Sequence, residues 1–209
     1  MKILSKEFVK GVIGSEGLPR PILPTVAFFG RSNVGKSSTI NALLEAKKLA
    51  ISSVQPGRTT EINYFIVNDA FYFADLPGYG YALASLKQRE KIRRLVLWFL
   101  SDDVARVDLA IFIVDGSLGL KDVDREAIQY AFEHNRKVAI IANKMDKGHQ
   151  NKNRSILKSI QEEYPEIVIF PFSAKMKIGR EEVLRHIKKE LHLSQGTTNG
   201  EQQTGKRVS

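Results

Sequence analysis

Two hydrophobic periods alternate along this chain. Thr25-Val26-Ala27-Phe28-Phe29 is a short apolar run closed by Gly30, which predicts a strand over about 24–30. Ile40, Leu43 and Leu44 then recur at helical spacing and predict a helix over about 36–48. Strands are expected over about 61–67 and 70–75, joined at Asn68-Asp69, a pair suited to a hairpin turn. Ile92, Leu95, Val96 and Phe99 share one face of a helix over about 86–101. Leu109-Ala110-Ile111-Phe112-Ile113-Val114 is apolar throughout, as a strand buried on both faces would be. A helix over about 122–134, a strand over 137–142, a helix over 151–163, a strand over 167–171 and a helix over 179–191 complete the series.

Strands separated by helices mean βαβ units. The expected fold is α/β, a mostly parallel sheet of about six or seven strands with helices on both faces. Residues 1–22 mix polar positions with glycines and prolines, and are expected to form an N-terminal extension with one short element near Phe8. The main domain is expected over 23–192. Residues 193–209 are nearly devoid of apolar side chains and are expected to be disordered.

The chain has 209 residues, enough for one ample core. No apolar run approaches the roughly 18 residues of a membrane span, and the first residues lack the apolar stretch of a signal peptide. There are no cysteines, which excludes disulfides and thiolate metal sites and fits a cytosolic location. Lys+Arg 32 against Asp+Glu 23 gives a net charge of +9. That balance points to a polyanionic partner, and nucleic acid suits it better than a membrane because no lipidation motif is visible. The expected state is a monomer.

Gly30-Arg31-Ser32-Asn33-Val34-Gly35-Lys36-Ser37 fits G-x-x-x-x-G-K-[ST] between a strand and a helix, the context this phosphate-cradling loop requires. Gly30 and Gly35 let backbone N–H groups turn inward, and the following helix, with Ser38, aims its positive end at the same place. Lys36 is expected on the β- and γ-phosphate oxygens and the Ser37 hydroxyl on Mg²⁺. Asp75 closes the strand Phe71-Tyr72-Phe73-Ala74 and opens Asp75-Leu76-Pro77-Gly78. Its carboxylate is expected near Mg²⁺, mainly through water, and the Gly78 N–H on a γ-phosphate.

Asn143-Lys144-Met145-Asp146 follows the strand ending at Ala142 and fits N-K-x-D. A carboxylate accepts two hydrogen bonds at once, so Asp146 suits the paired N1–H and N2–H₂ donors of guanine, which adenine lacks. Lys144 is expected over the base or ribose, with Asn143 tying the loops together. After the last strand comes Phe172-Ser173-Ala174-Lys175, with the Ala174 N–H placed for guanine O6. The segment Gly57-Arg58-Thr59-Thr60-Glu61 supplies a further Mg²⁺ hydroxyl that would sense the γ-phosphate. Spacing alone does not choose between Thr59 and Thr60.

These motifs in this order resemble the translation-factor-class, Era-like P-loop GTPases, whose fold is the Ras-like G domain. GRSNVGKSS at 30–38, PGRT at 56–59 and above all DLPGYGYA at 75–82 resemble the EngB family of bacterial ribosome-biogenesis GTPases over about residues 22–191. The resemblance implies a GTP-binding, Mg²⁺-dependent protein acting in large-ribosomal-subunit assembly and associated with cell division and septation. It implies Ser37, Thr59 and Asp75 around Mg²⁺, which selects Thr59 over Thr60. The chain departs from the family's habit at Asn143, usually Thr, and at Thr60, usually Gln.

Many GTPases orient the attacking water with a Gln directly after D-x-x-G. Here that position is Tyr79, so slow intrinsic turnover is expected. Asn33 is a candidate compensator, since similar loops with Asn bind K⁺ beside the phosphates; the alternative is an Asn bonded to its own backbone. Lys87, Lys91, Arg94 and Trp98 recur on one helix face and form a candidate contact stripe for rRNA, against the alternative of a solvated face with Trp98 packed on a neighbouring loop. A competing reading is an RNA-binding module with a regulatory GTP site and negligible turnover.

Overall fold

The computed structural model describes residues 1–14, 17–50, 61–80 and 85–193. Its strands are β1 (Lys6–Val12), β2 (Thr25–Gly30), β3 (Ile62–Val67), β4 (Phe71–Asp75), β5 (Val107–Asp115), β6 (Val138–Asn143) and β7 (Val168–Pro171). Its helices are α1 (Lys36–Leu44), α2 (Leu86–Ser101), α3 (Asp122–Glu133), α4 (Gln150–Glu163) and α5 (Arg180–Glu190). The strands form one seven-stranded sheet in the order β1-β3-β4-β2-β5-β6-β7. β2 runs parallel to both β4 and β5, whereas β1–β3 and β3–β4 are antiparallel.

Alternation of side chains explains the two-sided burial. Val26 and Phe28 of β2 join Leu109, Ile111 and Ile113 of β5 in a core beneath α1 and α5. Ala27, Phe29, Ala110, Phe112 and Val114 enter the opposite core beneath α2, α3 and α4. A strand covered on both faces has no polar face to show, and the continuous apolar run of β5 follows.

Two local features depart from the sequence reading, and one expected turn is present. The element near Phe8 is a full strand at the sheet edge, with a register shift between Phe8 and Lys10. α1 ends at Leu44 rather than near 48, because Glu45 takes a left-handed conformation (φ 50°). The Asn41 side chain then accepts from the Leu49 and Ala50 N–H groups (3.0 and 2.9 Å) and folds the chain back. Asn68 and Asp69 do form the hairpin turn, both with positive φ (53° and 51°). Asn68 also accepts from the Leu4 N–H (2.6 Å) and donates to the Lys2 carbonyl (2.8 Å). The tail expected to be disordered lies outside the described residues, apart from Leu193.

Candidate functional site

Strand order reverses at β2, whose neighbours β4 and β5 lead away in opposite directions. Ligands of open α/β sheets bind at such switch points, beyond the carboxyl ends of the strands. The phosphate-type loop leaves β2 there. Gly30 is pressed so closely on β5 that a Cβ would lie 2.7 Å from the Ile113 carbonyl oxygen. Gly35 has φ +93°, and a Cβ on it would collide with the Asn143 amide. Both glycines are thus demanded by neighbours as well as by the loop's own turn. Asn33 is left-handed as well (φ 69°), exposed, and its side chain makes no hydrogen bond among the described residues.

Lys36 and Asp75 meet in a mostly buried ion pair. The lysine expected on phosphate oxygens therefore has a carboxylate partner in this structure, which an incoming phosphate would have to displace. Ser37 lies beside it at the start of α1, and Ser38 is exposed. Leu76 is buried and its N–H donates to the Phe28 carbonyl (3.2 Å), so the chain beyond Asp75 stays zipped to β2. Pro77 and Gly78 follow. Gly57, Arg58, Thr59 and Thr60 lie outside the described residues, and the exposed Glu61 side chain lies against Gly11 of β1.

The base-reading loops are tied to the phosphate loop by one side chain. Asn143, buried at the end of β6, donates from Nδ2 to the Val34 carbonyl (2.9 Å) and accepts the Ala174 N–H on Oδ1 (3.1 Å). A guanine O6 would have to share or take over the Ala174 donor. The Met145 N–H donates to the Phe172 carbonyl (3.0 Å), and the Ser173 hydroxyl donates to Asp146 Oδ1 (2.6 Å). The Ser173 hydrogen bond holds the Asp146 carboxyl below the usual carboxylate range, so it is an acceptor at neutral pH.

Lys144 is held by two partners, donating to the Asn33 carbonyl (2.7 Å) and to Asp115 Oδ2 (2.7 Å). Asp115 was missed in the sequence. Burial alone would push its carboxyl up, but hydrogen bonds from Lys144 and Ser117 outweigh burial and hold it below the usual range. The signal was available, since Asp115 closes an apolar strand as Asp75 does. Asn153 was also missed: buried on α4, it donates to the Lys147 carbonyl (2.8 Å) and steadies the turn after Asp146.

The helix stripe comes apart. Lys87, Lys91 and Arg94 are exposed, and Arg94 Nε donates to Glu90 (2.8 Å). Trp98 is half-buried against the core and donates its indole N–H to Asp102 (2.9 Å). Its ring also packs against Phe99, with centroids 5.9 Å apart.

The profile of a family described as "50S ribosome-binding GTPase" matches residues 25–144, and that of the "Elongation factor Tu GTP binding domain" matches residues 100–193. A "Probable GTP-binding protein EngB" of Phocaeicola vulgatus is 38% identical over 192 residues, covering 90% of this chain and 96% of the relative. Another, of Natranaerobius thermophilus, is 40% identical over 154 residues, covering 74% and 79%. A crystal structure of a probable GTP-binding protein engB superposes with a TM-score of 0.69 at 26% identity, covering 80% of this chain and 98% of that one. A structure of Era in complex with MgGDPNP and nucleotides 1506–1542 of 16S ribosomal RNA superposes with a TM-score of 0.66 at 26% identity, covering 84% and 58%.

Proposed function

The chain belongs to the EngB family of GTP-binding proteins and is a GTPase, and from that premise we propose that it is a GTP-driven switch in large-ribosomal-subunit assembly. The observation that carries the site assignment is the convergence on Asn143, one buried side chain that joins the phosphate loop at Val34 to the base-reading loop at Ala174. In this reading Lys36 exchanges Asp75 for the β- and γ-phosphate oxygens. The loop amides bind the same phosphates, the Gly78 N–H meets the γ-phosphate, and Asp146 accepts the guanine donors.

Mg²⁺ fits this donor set. It is usually held through one or two carboxylates together with substrate phosphates; Asp75 is the proposed carboxylate, and Ser37 and Thr59 are the proposed hydroxyls. Among the described residues no cluster of three His, Cys, Asp or Glu offers an all-protein cage. When bound, the ion neutralises phosphate charge during phosphoryl transfer. Tyr79 has its phenol on Asp124 and offers nothing to an attacking water, which supports slow intrinsic turnover.

The ribosomal role is supported by the family's description, by the rRNA-bound Era relative and by the charge of +9. Cell division and septation enter through family membership as downstream consequences. No helix among the described residues is long and apolar enough to cross a membrane. The test is cosedimentation with purified ribosomal subunits. The chain is expected to pellet with large subunits in the presence of a non-hydrolysable GTP analogue and to release with GDP. Equal partition in both nucleotides, or with neither subunit, refutes the assignment.

A further inference from the structure

We propose that Asp124 is a positioning residue for γ-phosphate sensing: its buried carboxylate clamps Tyr79, beside Gly78, to Arg31 of the phosphate loop. The inference rests on the nucleotide-site reading above and adds to it a group on α3 that touches no nucleotide.

Asp124 is fully buried in the first turn of α3. Its Oδ1 accepts the Tyr79 hydroxyl (3.1 Å). Its Oδ2 accepts Arg31 Nε (2.9 Å) and the Lys121 backbone N–H (3.0 Å). Three donors from three separate segments converge on one carboxylate. A carboxylate only accepts, so all three are satisfied; an amide in its place would turn a donor toward a donor. Helix capping accounts for the Lys121 contact alone. The other two partners come from loops at the nucleotide site.

A buried charge is costly unless it is paired and hydrogen-bonded. Moving either loop away from Asp124 would leave that charge under-satisfied, so the arrangement has a definite position. Burial pushes the Tyr79 phenol well above its ordinary value, and the Asp124 carboxylate pushes it further. The hydroxyl therefore stays a donor across the working pH range.

The backbone around the clamp is drawn tight as well. The Tyr79 N–H donates to the Gly30 carbonyl (3.3 Å), and the Ser32 N–H to the Tyr79 carbonyl (3.0 Å). Gly78 sits so close to the phosphate loop that a Cβ would lie 3.1–3.3 Å from atoms of Ser32. The Gly78 N–H makes no hydrogen bond among the described residues. The clamp thus holds a donor without a partner among the described residues against the phosphate loop, as the proposed contact with a γ-phosphate requires.

The experiment compares dissociation constants of GDP and of a non-hydrolysable GTP analogue for the wild-type chain, Tyr79→Phe and Asp124→Asn. Tyr79→Phe removes one hydroxyl and keeps the ring. It is expected to weaken the analogue by about tenfold and GDP by less than about twofold. Asp124→Asn is expected to weaken the analogue further. If Asp124→Asn does not fold, Tyr79→Phe carries the test, with its melting temperature showing that it is intact. Equal weakening of both nucleotides, no change in either, or tighter analogue binding overturns the clamp. Wild-type chain that binds neither nucleotide overturns the site reading itself, and the clamp with it.

Discussion

Replacing Asn143 with alanine removes two hydrogen bonds at once, a buried one to the Val34 carbonyl and a part-buried one from the Ala174 N–H. Neither partner has another bond among the described residues. The buried Val34 carbonyl costs about 1–3 kcal/mol when orphaned and the part-buried Ala174 N–H about 1–2, so the loss is about 2–5 kcal/mol. For a chain of this size that corresponds to a fall in melting temperature of about 5–20 °C. The same change unties the phosphate loop from the base loop, and GDP affinity should fall at least about tenfold, one hydrogen bond's worth of preorganisation. Asn143→Thr, which keeps one hydrogen-bonding group, is the informative control. Its hydroxyl sits one bond from Cβ and reaches one partner at most, so about half the loss is expected. Urea denaturation and titration calorimetry read the two effects separately. A loss below about 0.5 kcal/mol with unchanged GDP affinity, the behaviour of an ordinary surface position, would refute the idea that Asn143 is the joint of the site.

Four further outcomes are expected. Gly30→Ala drives a methyl into the Ile113 carbonyl and should abolish nucleotide binding together with most of the folded yield, read by near-UV circular dichroism. Asp146→Asn turns an amide donor toward the guanine donors and should weaken GTP by about 10- to 100-fold, while a nucleotide with an acceptor at the 2-position of its base gains; calorimetry with both decides. Burial holds the His186 imidazole below its ordinary value, against the nearby Glu190 carboxylate and with Lys189 and Lys137. The unfolded chain therefore binds the extra proton first, and stability should decline as pH falls below about 6.5; His186→Gln should flatten denaturation midpoints across that window. If Asn33 helps hold K⁺, turnover should be faster in K⁺ than in Na⁺ and Asn33→Ala should erase the difference; equal rates in both salts sink that role.

The order of elements was legible because both periods were strong. β5 is uninterrupted and α2 has a clear apolar face, and both appear within two residues of their expected bounds. Among the described residues, the motifs located the loops that Lys36 and Asn143 tie together. Side-chain partners made across elements were not legible. Asp124 reads as an ordinary helix-start acid, and nothing local says that Tyr79 and Arg31, 45 and 93 residues away in the chain, converge on it. The sequence left Trp98 either on the contact stripe or packed on a neighbouring loop, and only the turn at Asp102, which catches its indole, shows it packed. α1 ends early at the left-handed Glu45, and the last carbonyls there, of Ala42 and Leu43, accept the Arg180 guanidinium (3.1 and 3.1 Å) from a helix far along the chain.

The edge strand β1 has a consequence for synthesis. Its partners are the residues of β3, Lys6 facing Val67 and Val12 facing Ile62, so it leaves the ribosome some 50–61 residues before the chain it pairs with. At about 5–20 residues per second that is a wait of seconds. Until β1 docks, β3 is a bare edge with Phe65, which later meets Phe8 edge-on at 5.8 Å. An unpaired apolar edge invites pairing with another chain. β1 is built to close that edge without offering a new one: lysines stand at 6 and 10, and its ladder breaks between Phe8 and Lys10. A nascent chain held in solution before β1 docks should therefore be the species most prone to self-association.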